Sequence, residues 1–192
     1  MTRIALSATI LATVALALAA CSRDAAPPIE ANEVAMNLPA KVAPRTIALN
    51  GGDGAAMGNV MLSGDPNGVT IKIDAAGLSA GVHGVHLHEK GLCEGPKFAS
   101  AGGHWNPGGK QHGRDNPMGA HLGDLANLTV AADGSAKVSI PVAGAKMASG
   151  AMMLADADGT ALVVHAKADD YKTDPSGDSG DRIACAVVAG AK

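Results

Sequence analysis

From Arg45 onward, apolar residues recur in short runs separated by turn residues. Val69, Ile71 and Ile73 alternate cleanly after Pro66-Asn67-Gly68, and Val60 to Leu62 precedes them. Successive side chains of a strand point to opposite faces, so this alternation predicts a half-buried strand, and Asn-Gly predicts the hairpin turn that joins it to its neighbour. Two further hairpins are predicted the same way. Leu125 to Val130 and Val138 to Val142 flank Asp133-Gly134, while Met152 to Ala155 and Leu162 to His165 flank Asp158-Gly159. Thr46 to Leu49, the histidine-bearing stretch Gly81 to Gly91 and Ile183 to Val188 complete the set. The class is all-β: an eight-stranded antiparallel Greek-key sandwich or barrel. Two stretches, 91–123 and 166–181, carry no apolar period, and loops of such length in a compact domain usually serve function.

The segment before Arg45 follows different rules. Residues 1–20 hold one early cation, Arg3, then a nearly unbroken apolar run from Ile4 that ends in Leu18-Ala19-Ala20-Cys21. This reads as an export signal; a retained membrane anchor is the alternative, but small residues just before Cys21 suit a peptidase better. The Leu-Ala-Ala-Cys ending resembles the lipobox of bacterial lipoproteins, in which the cysteine becomes the lipidated first residue of the mature chain. Residues 21–44 lack periodicity and read as a flexible tether, leaving 45–192 as the domain.

Composition narrows the picture further. Aromatics make up 2% of the chain and glycine accounts for 25 residues, so the core is built from Val, Ile, Leu, Met and Ala between many tight turns. A formal net charge of −3 gives no basic footprint, which argues against a nucleic-acid partner. Three cysteines in an exported chain leave one unpaired. Lipidation of Cys21 removes the odd one, and an oxidising compartment would let Cys93 and Cys185 join. The expected location is therefore the bacterial cell envelope: the periplasm, with the chain anchored to a membrane through Cys21.

All seven histidines lie between His83 and His165. His86 and His88 share one face of a strand, and two imidazoles converging from one strand form half of a four-coordinate metal site. The first long loop offers His104, His112, His121 and Asp124, three nitrogen donors and a carboxylate that would suit tetrahedral zinc. His86, His88, His165 and one shared histidine would form an all-imidazole set suited to copper.

Together GVHGVHLHEKG, AGGHWNPGGKQHG, AHLGDLANL, LVVHAKADD and GDRIACAVV resemble copper/zinc superoxide dismutase in its bacterial exported form, from about residue 45 onward. The resemblance implies that His86, His88, His104 and His165 bind copper and that His104, His112, His121 and Asp124 bind zinc, His104 bridging the two. It pairs Cys93 with Cys185 and makes Arg182 the guide for superoxide beside copper. Asp169 matches the family's carboxylate that hydrogen-bonds a ligand of each metal, here His86 and His112; Asp170 reads as a solvated loop acid. His83 matches a histidine that ties strands together without binding metal. Trp105, the chain's sole tryptophan, reads as a packing residue, and Lys97, Lys110 and Lys172 as steering or merely solubilising charges.

The implied activity is dismutation of superoxide to dioxygen and hydrogen peroxide, by a redox-cycling copper with a tuning zinc, in a homodimer or a monomer. The bridging imidazole of His104 would accept and return a proton. The rival is a copper-buffering or copper-delivery protein on the same sandwich, since fold does not fix function. A second metal and an arginine placed for an anion count against it.

Overall fold

A computed structural model describes residues 42–192, except 66, 148, 149 and 151. The signal segment 1–20, Cys21 and the tether up to residue 41 lie outside the described residues. Nine strands are present among those described: β1 (Val42–Gly51), β2 (Ala56–Asp65), β3 (Gly68–Ala75), β4 (Gly81–His83), β5 (Val85–His88), β6 (Leu128–Val130), β7 (Ala136–Ala143), β8 (Thr160–His165) and β9 (Arg182–Ala189). β1 thus takes up residues 42–44, which the lack of periodicity had assigned to the tether.

Seven strands form one curled antiparallel sheet in the order β5-β8-β9-β1-β2-β3-β7, and β4 pairs with β6 in a small second one. The alternation of Val69, Ile71 and Ile73 is realised as predicted, since these side chains point inward from β3 while Lys72 and Asp74 face out. They pack with Leu49, Val60, Leu62, Leu87, Leu128, Ile140, Leu162 and Val164 into one core. The predicted histidine strand is broken at Gly84, whose N–H donates to Lys167 O and whose carbonyl accepts from His165 N–H. That break lets β4 pair with β6 and β5 with β8.

Two predicted hairpins need correction. The turn at Asp133-Gly134 forms, with Ala131 N–H donating to Ser135 O, but the strands diverge beyond it: β7 pairs with β3, and β6 with β4. Residues 152–155 form no strand against β8. Their backbone instead bonds to Lys146 and Met147, Met152 adopts φ of +65°, and the Leu154 carbonyl accepts the Thr160 hydroxyl. β8 finds both its neighbours, β5 and β9, at large sequence separation.

β8 is buried along its whole length. Leu162 and Val164 face the main core, whereas Ala161 and Val163 join Phe98, Ala101 and Cys185 in a second cluster beneath the loop that follows β5. Cys93 and Cys185 are joined in a disulfide with Cα atoms 5.7 Å apart, closing a separation of 92 residues. In the chain-entropy account such a closure stabilises by about 4.6 kcal/mol. A short 3-10 helix, Ala99–Ala101, continues the loop, and Phe98, the chain's one phenylalanine, is the plug that seats it. Nothing in the local pattern marked Phe98, because its apolar partners come from β8 and β9. Phe98→Ala should lower stability by about 3 kcal/mol with the disulfide intact, as measured by denaturant unfolding.

Candidate metal centre

β5 and β8 are adjacent antiparallel strands, with His86 opposite Val163 and His88 opposite Ala161. They bring His86 and His88 toward His165, at the end of β8, and the loop after β5 folds back to add His104. One donor atom from each of His86, His88, His104 and His165 lies within 4.8 Å of the others, and the same holds for His86, His104, His112 and Asp124. His121 and Asp124 stand three residues apart in a tight turn, where the Asp124 carboxylate accepts the His121 peptide N–H at 3.0 Å and the Gly113 N–H at 2.9 Å.

The hydrogen bonds of the rings fix which nitrogen each can offer. His86 Nε2 donates to Asp169 Oδ2 at 2.9 Å, His88 Nδ1 to Gly102 O at 3.0 Å and His165 Nδ1 to Gly180 O at 3.1 Å. The opposite nitrogens, His86 Nδ1, His88 Nε2 and His165 Nε2, are buried without a partner, as is His104 Nε2. Burying a polar atom unpaired costs about 1–3 kcal/mol, so four such atoms in one place are a site built for something that binds nitrogen lone pairs. Four imidazoles are the donor set of a transition metal.

Asp124 organises the other half. Its Oδ1 lies 3.0 Å from His104 Nδ1, 3.0 Å from His112 Nδ1 and 3.1 Å from His121 Nδ1. A tetrahedral ion with bonds of about 2.0–2.1 Å holds its ligand atoms about 3.3 Å apart, so each of these three nitrogens stands close to the separation from Asp124 that shared ligation requires. His112 Nδ1, although close to Asp124, makes no hydrogen bond there, and it can offer a lone pair to an ion once the ring gives up a proton. The residues present therefore fit both metals. His104 faces both ways, Nε2 toward the four-imidazole group and Nδ1 toward Asp124.

Electrostatics agree with this division. Burial, aided by neighbouring imidazoles, pushes His88 down to about 2, His165 to about 3 and His104 to about 4, and lowers His86 as well. At neutral pH these four rings are uncharged and need lose no proton to bind a cation. His112 behaves oppositely: burial works against its charge, but Asp124 and Asp169 on either side raise it to about 9. Burial would raise both carboxylates, yet hydrogen bonds from the histidines hold Asp124 and Asp169 well below the usual carboxylate range.

Arg182, which opens β9 opposite His165, is clamped by the disulfide-bearing loop. Its Nη1 donates to Phe98 O at 2.7 Å and its Nη2 to Gly102 O at 2.6 Å. Gly102 O also accepts from His88, so guanidinium and imidazole share one acceptor. Partial burial lowers the pKa of Arg182, but a guanidinium remains charged throughout the physiological range. Of the three lysines singled out in the sequence, Lys97 lines the same surface cleft as Arg182, together with Gly52, Pro96 and Asp181; Lys110 and Lys172 do not line it.

His83 stands outside both donor groups. Its Nδ1 donates to His165 O at 2.7 Å and its Nε2 abuts Ser79, tying β4 to the end of β8. Trp105 is buried in the core, and Asp170 is exposed and caps the N–H groups of Lys172 and Thr173. Sequence reasoning missed Asn127, whose side chain brackets the peptide of Asp169. An isolated asparagine ahead of a strand carries no local signal of that role.

A family model described as copper/zinc superoxide dismutase matches residues 56–188. A Caulobacter vibrioides protein named Superoxide dismutase (Cu-Zn) is 44% identical over 146 residues, covering 74% of this chain and 84% of its own. A Bacillus subtilis protein named Superoxide dismutase-like protein YojM is also 44% identical, over 72% of each chain. Among solved structures, the SOD-like protein from Bacillus subtilis superposes with a TM-score of 0.72 at 41% identity, covering 76% of this chain and 99% of that one. The Cu/Zn superoxide dismutase from Brucella abortus superposes with a TM-score of 0.62 at 29% identity, over 76% and 99% of the two chains.

Proposed function

The chain belongs to the copper/zinc superoxide dismutase family, and from that premise we propose that His86, His88, His104 and His165 hold copper while His104, His112, His121 and Asp124 hold zinc. The activity is dismutation of superoxide: two superoxide ions and two protons give dioxygen and hydrogen peroxide, with copper and zinc as cofactors. Copper, when bound, supplies the one-electron couple for both half-reactions, and zinc supplies a fixed positive charge.

The observation that carries the ligand assignment is the nitrogen each ring has left. His86 offers Nδ1 alone, because Asp169 occupies its Nε2, so it can serve one metal only. His104 has Nε2 unpaired, and its Nδ1 meets Asp124, which belongs to a donor group as Asp169 does not; once its Nδ1 proton is lost, both its nitrogens face donor groups, so it can serve two. Its Nε2 is also the atom that can hold a proton and pass it to departing peroxide. Asp169 fixes the tautomers of His86 and His112 by accepting from both Nε2 atoms. Arg182, held rigid by two carbonyls, supplies a fixed cation that draws superoxide to the open side of the centre.

We further propose that the protein is exported, lipidated on Cys21 and held in the periplasm by the tether. The Leu18-Ala19-Ala20-Cys21 ending supports this, and so does the Cys93–Cys185 disulfide, which leaves Cys21 as the unpaired cysteine.

Three outcomes test these readings. His104→Ala should change the Cu(II) electron paramagnetic resonance spectrum and empty the zinc site together, whereas His112→Ala should lose zinc first; a wild-type spectrum with both metals bound in the His104 variant would refute the bridge. Arg182→Glu should keep its metal content while kcat/KM falls about tenfold or more, and added salt should speed the variant where it slows wild type. Unchanged activity and an unchanged salt slope would reduce Arg182 to a bystander. Cys21→Ser should take up no labelled fatty acid and should leave the membrane fraction, where the wild-type protein stays in high salt.

A further inference from the structure

Asp169 orients one imidazole on each side of the centre, yet it sits on a long loop with no regular structure of its own. What holds Asp169 is a closed ring of hydrogen bonds. The Asn127 side chain brackets its peptide unit: Asn127 Nδ2 donates to Asp169 O at 2.9 Å, and Asp169 N–H donates to Asn127 Oδ1 at 2.9 Å. A carboxamide presents one acceptor and one donor side by side, so it reads a peptide group as a neighbouring strand would. The Asn127 N–H in turn donates to the Tyr171 hydroxyl at 2.9 Å, and the Tyr171 N–H returns to Asp169, donating to Oδ1 at 2.7 Å. That same Oδ1 accepts from His112 Nε2.

Tyr171, the chain's sole tyrosine, also seats the segment next to His112. Asp115 N–H donates to Tyr171 O, and a Cβ on Gly113 would fall 2.2 Å from that oxygen, so only glycine lets the two backbones meet. The Arg114 guanidinium lies over the Tyr171 ring, 3.7 Å from its centroid. Both sides of His112 are thereby referred to one residue pair: its ring through Asp169, its chain through residues 113–115.

We infer that Asn127 and Tyr171 are positioning residues for the zinc side of the centre, setting how tightly zinc is retained although neither supplies a ligand atom. The inference rests on the ligand assignment proposed above. Partners that orient a ligand from outside commonly carry a 10–100-fold share of metal affinity. Without the Asn127 carboxamide, the N–H and C=O of Asp169 lose their partners, and the backbone that carries the carboxylate aiming His112 loses its anchor.

The test compares wild type, Asn127→Ala, Tyr171→Phe and Arg114→Ala. Each is loaded with cobalt(II) for its visible spectrum and with zinc for its rate of loss to a chelator, and the thermal midpoint of each metal-free protein is recorded. Asn127→Ala should lose zinc about tenfold faster or more and show a shifted cobalt spectrum. Tyr171→Phe, which keeps the ring but not the hydroxyl, should lose zinc about threefold faster. Arg114→Ala, which leaves the hydrogen-bonded ring intact and removes only the cation over Tyr171, should change zinc loss less than Tyr171→Phe does. Variants with a lower thermal midpoint but wild-type cobalt spectra and zinc loss would overturn the inference, leaving both residues a merely structural role. Should Asn127→Ala fail to fold, Tyr171→Phe decides by the same readouts. A wild-type protein that binds no cobalt would overturn the ligand assignment itself, and the inference with it.

Discussion

Buried imidazole nitrogens without partners are the constraint around which this chain is built. His86 Nδ1, His88 Nε2, His104 Nε2, His112 Nδ1 and His165 Nε2 are all withdrawn from water and unpaired. Left to themselves these rings would turn to recover a hydrogen bond, since each unpaired atom costs about 1–3 kcal/mol. They stay in place because the opposite nitrogen of each is occupied, by Asp169, Gly102, Asp124 or Gly180. A bound metal would give each of these atoms the partner it lacks.

Rigid and loop-borne parts divide that task. His86, His88 and His165 ride on β5 and β8, strands whose inner faces lie in the main core. His104, His112, His121 and Asp124 lie on a long irregular stretch, and Asp169 on a second. The first stretch reaches the main core through Trp105 and Leu125, the neighbours of His104 and Asp124. The first is fixed by the Cys93–Cys185 disulfide and by Phe98 seated on Ala161 and Val163, and the second by Asn127. The outer face of β8 is apolar for that reason: it is the floor on which the loop rests.

The carbonyl of Gly102 ties an imidazole of the donor cluster to the guanidinium of Arg182. It accepts from His88, which orients that ring, and from Arg182, which holds the guanidinium against the same loop. A displacement of the loop would therefore disturb that imidazole and the guanidinium together. A guanidinium held by two carbonyls loses little further freedom when an anion arrives, which is the advantage of a planar fork over a flexible ammonium.

Much of this was legible in the sequence, for identifiable reasons. Side-chain alternation and Asn-Gly or Asp-Gly turns are local, so the strand at Val69–Ile73 and the turn at Asp133-Gly134 could be read without a structure. The histidine motifs are also local strings, and they carried the family and the candidate site. Strand partners are not local. Residues 152–155 looked like half of a hairpin, but their backbone groups found Lys146 and Met147, and β8 found β5 and β9. The choice of nitrogen on each ring, the two carbonyls that hold Arg182 from 80 and 84 residues away, and the clamp of Asn127 on Asp169 were likewise decided only in three dimensions. The sequence by itself determined which residue types were available, and in what local geometry. Tertiary structure decided which of many chemically equivalent donors and acceptors meet, because that choice depends on long-range packing that no local pattern encodes.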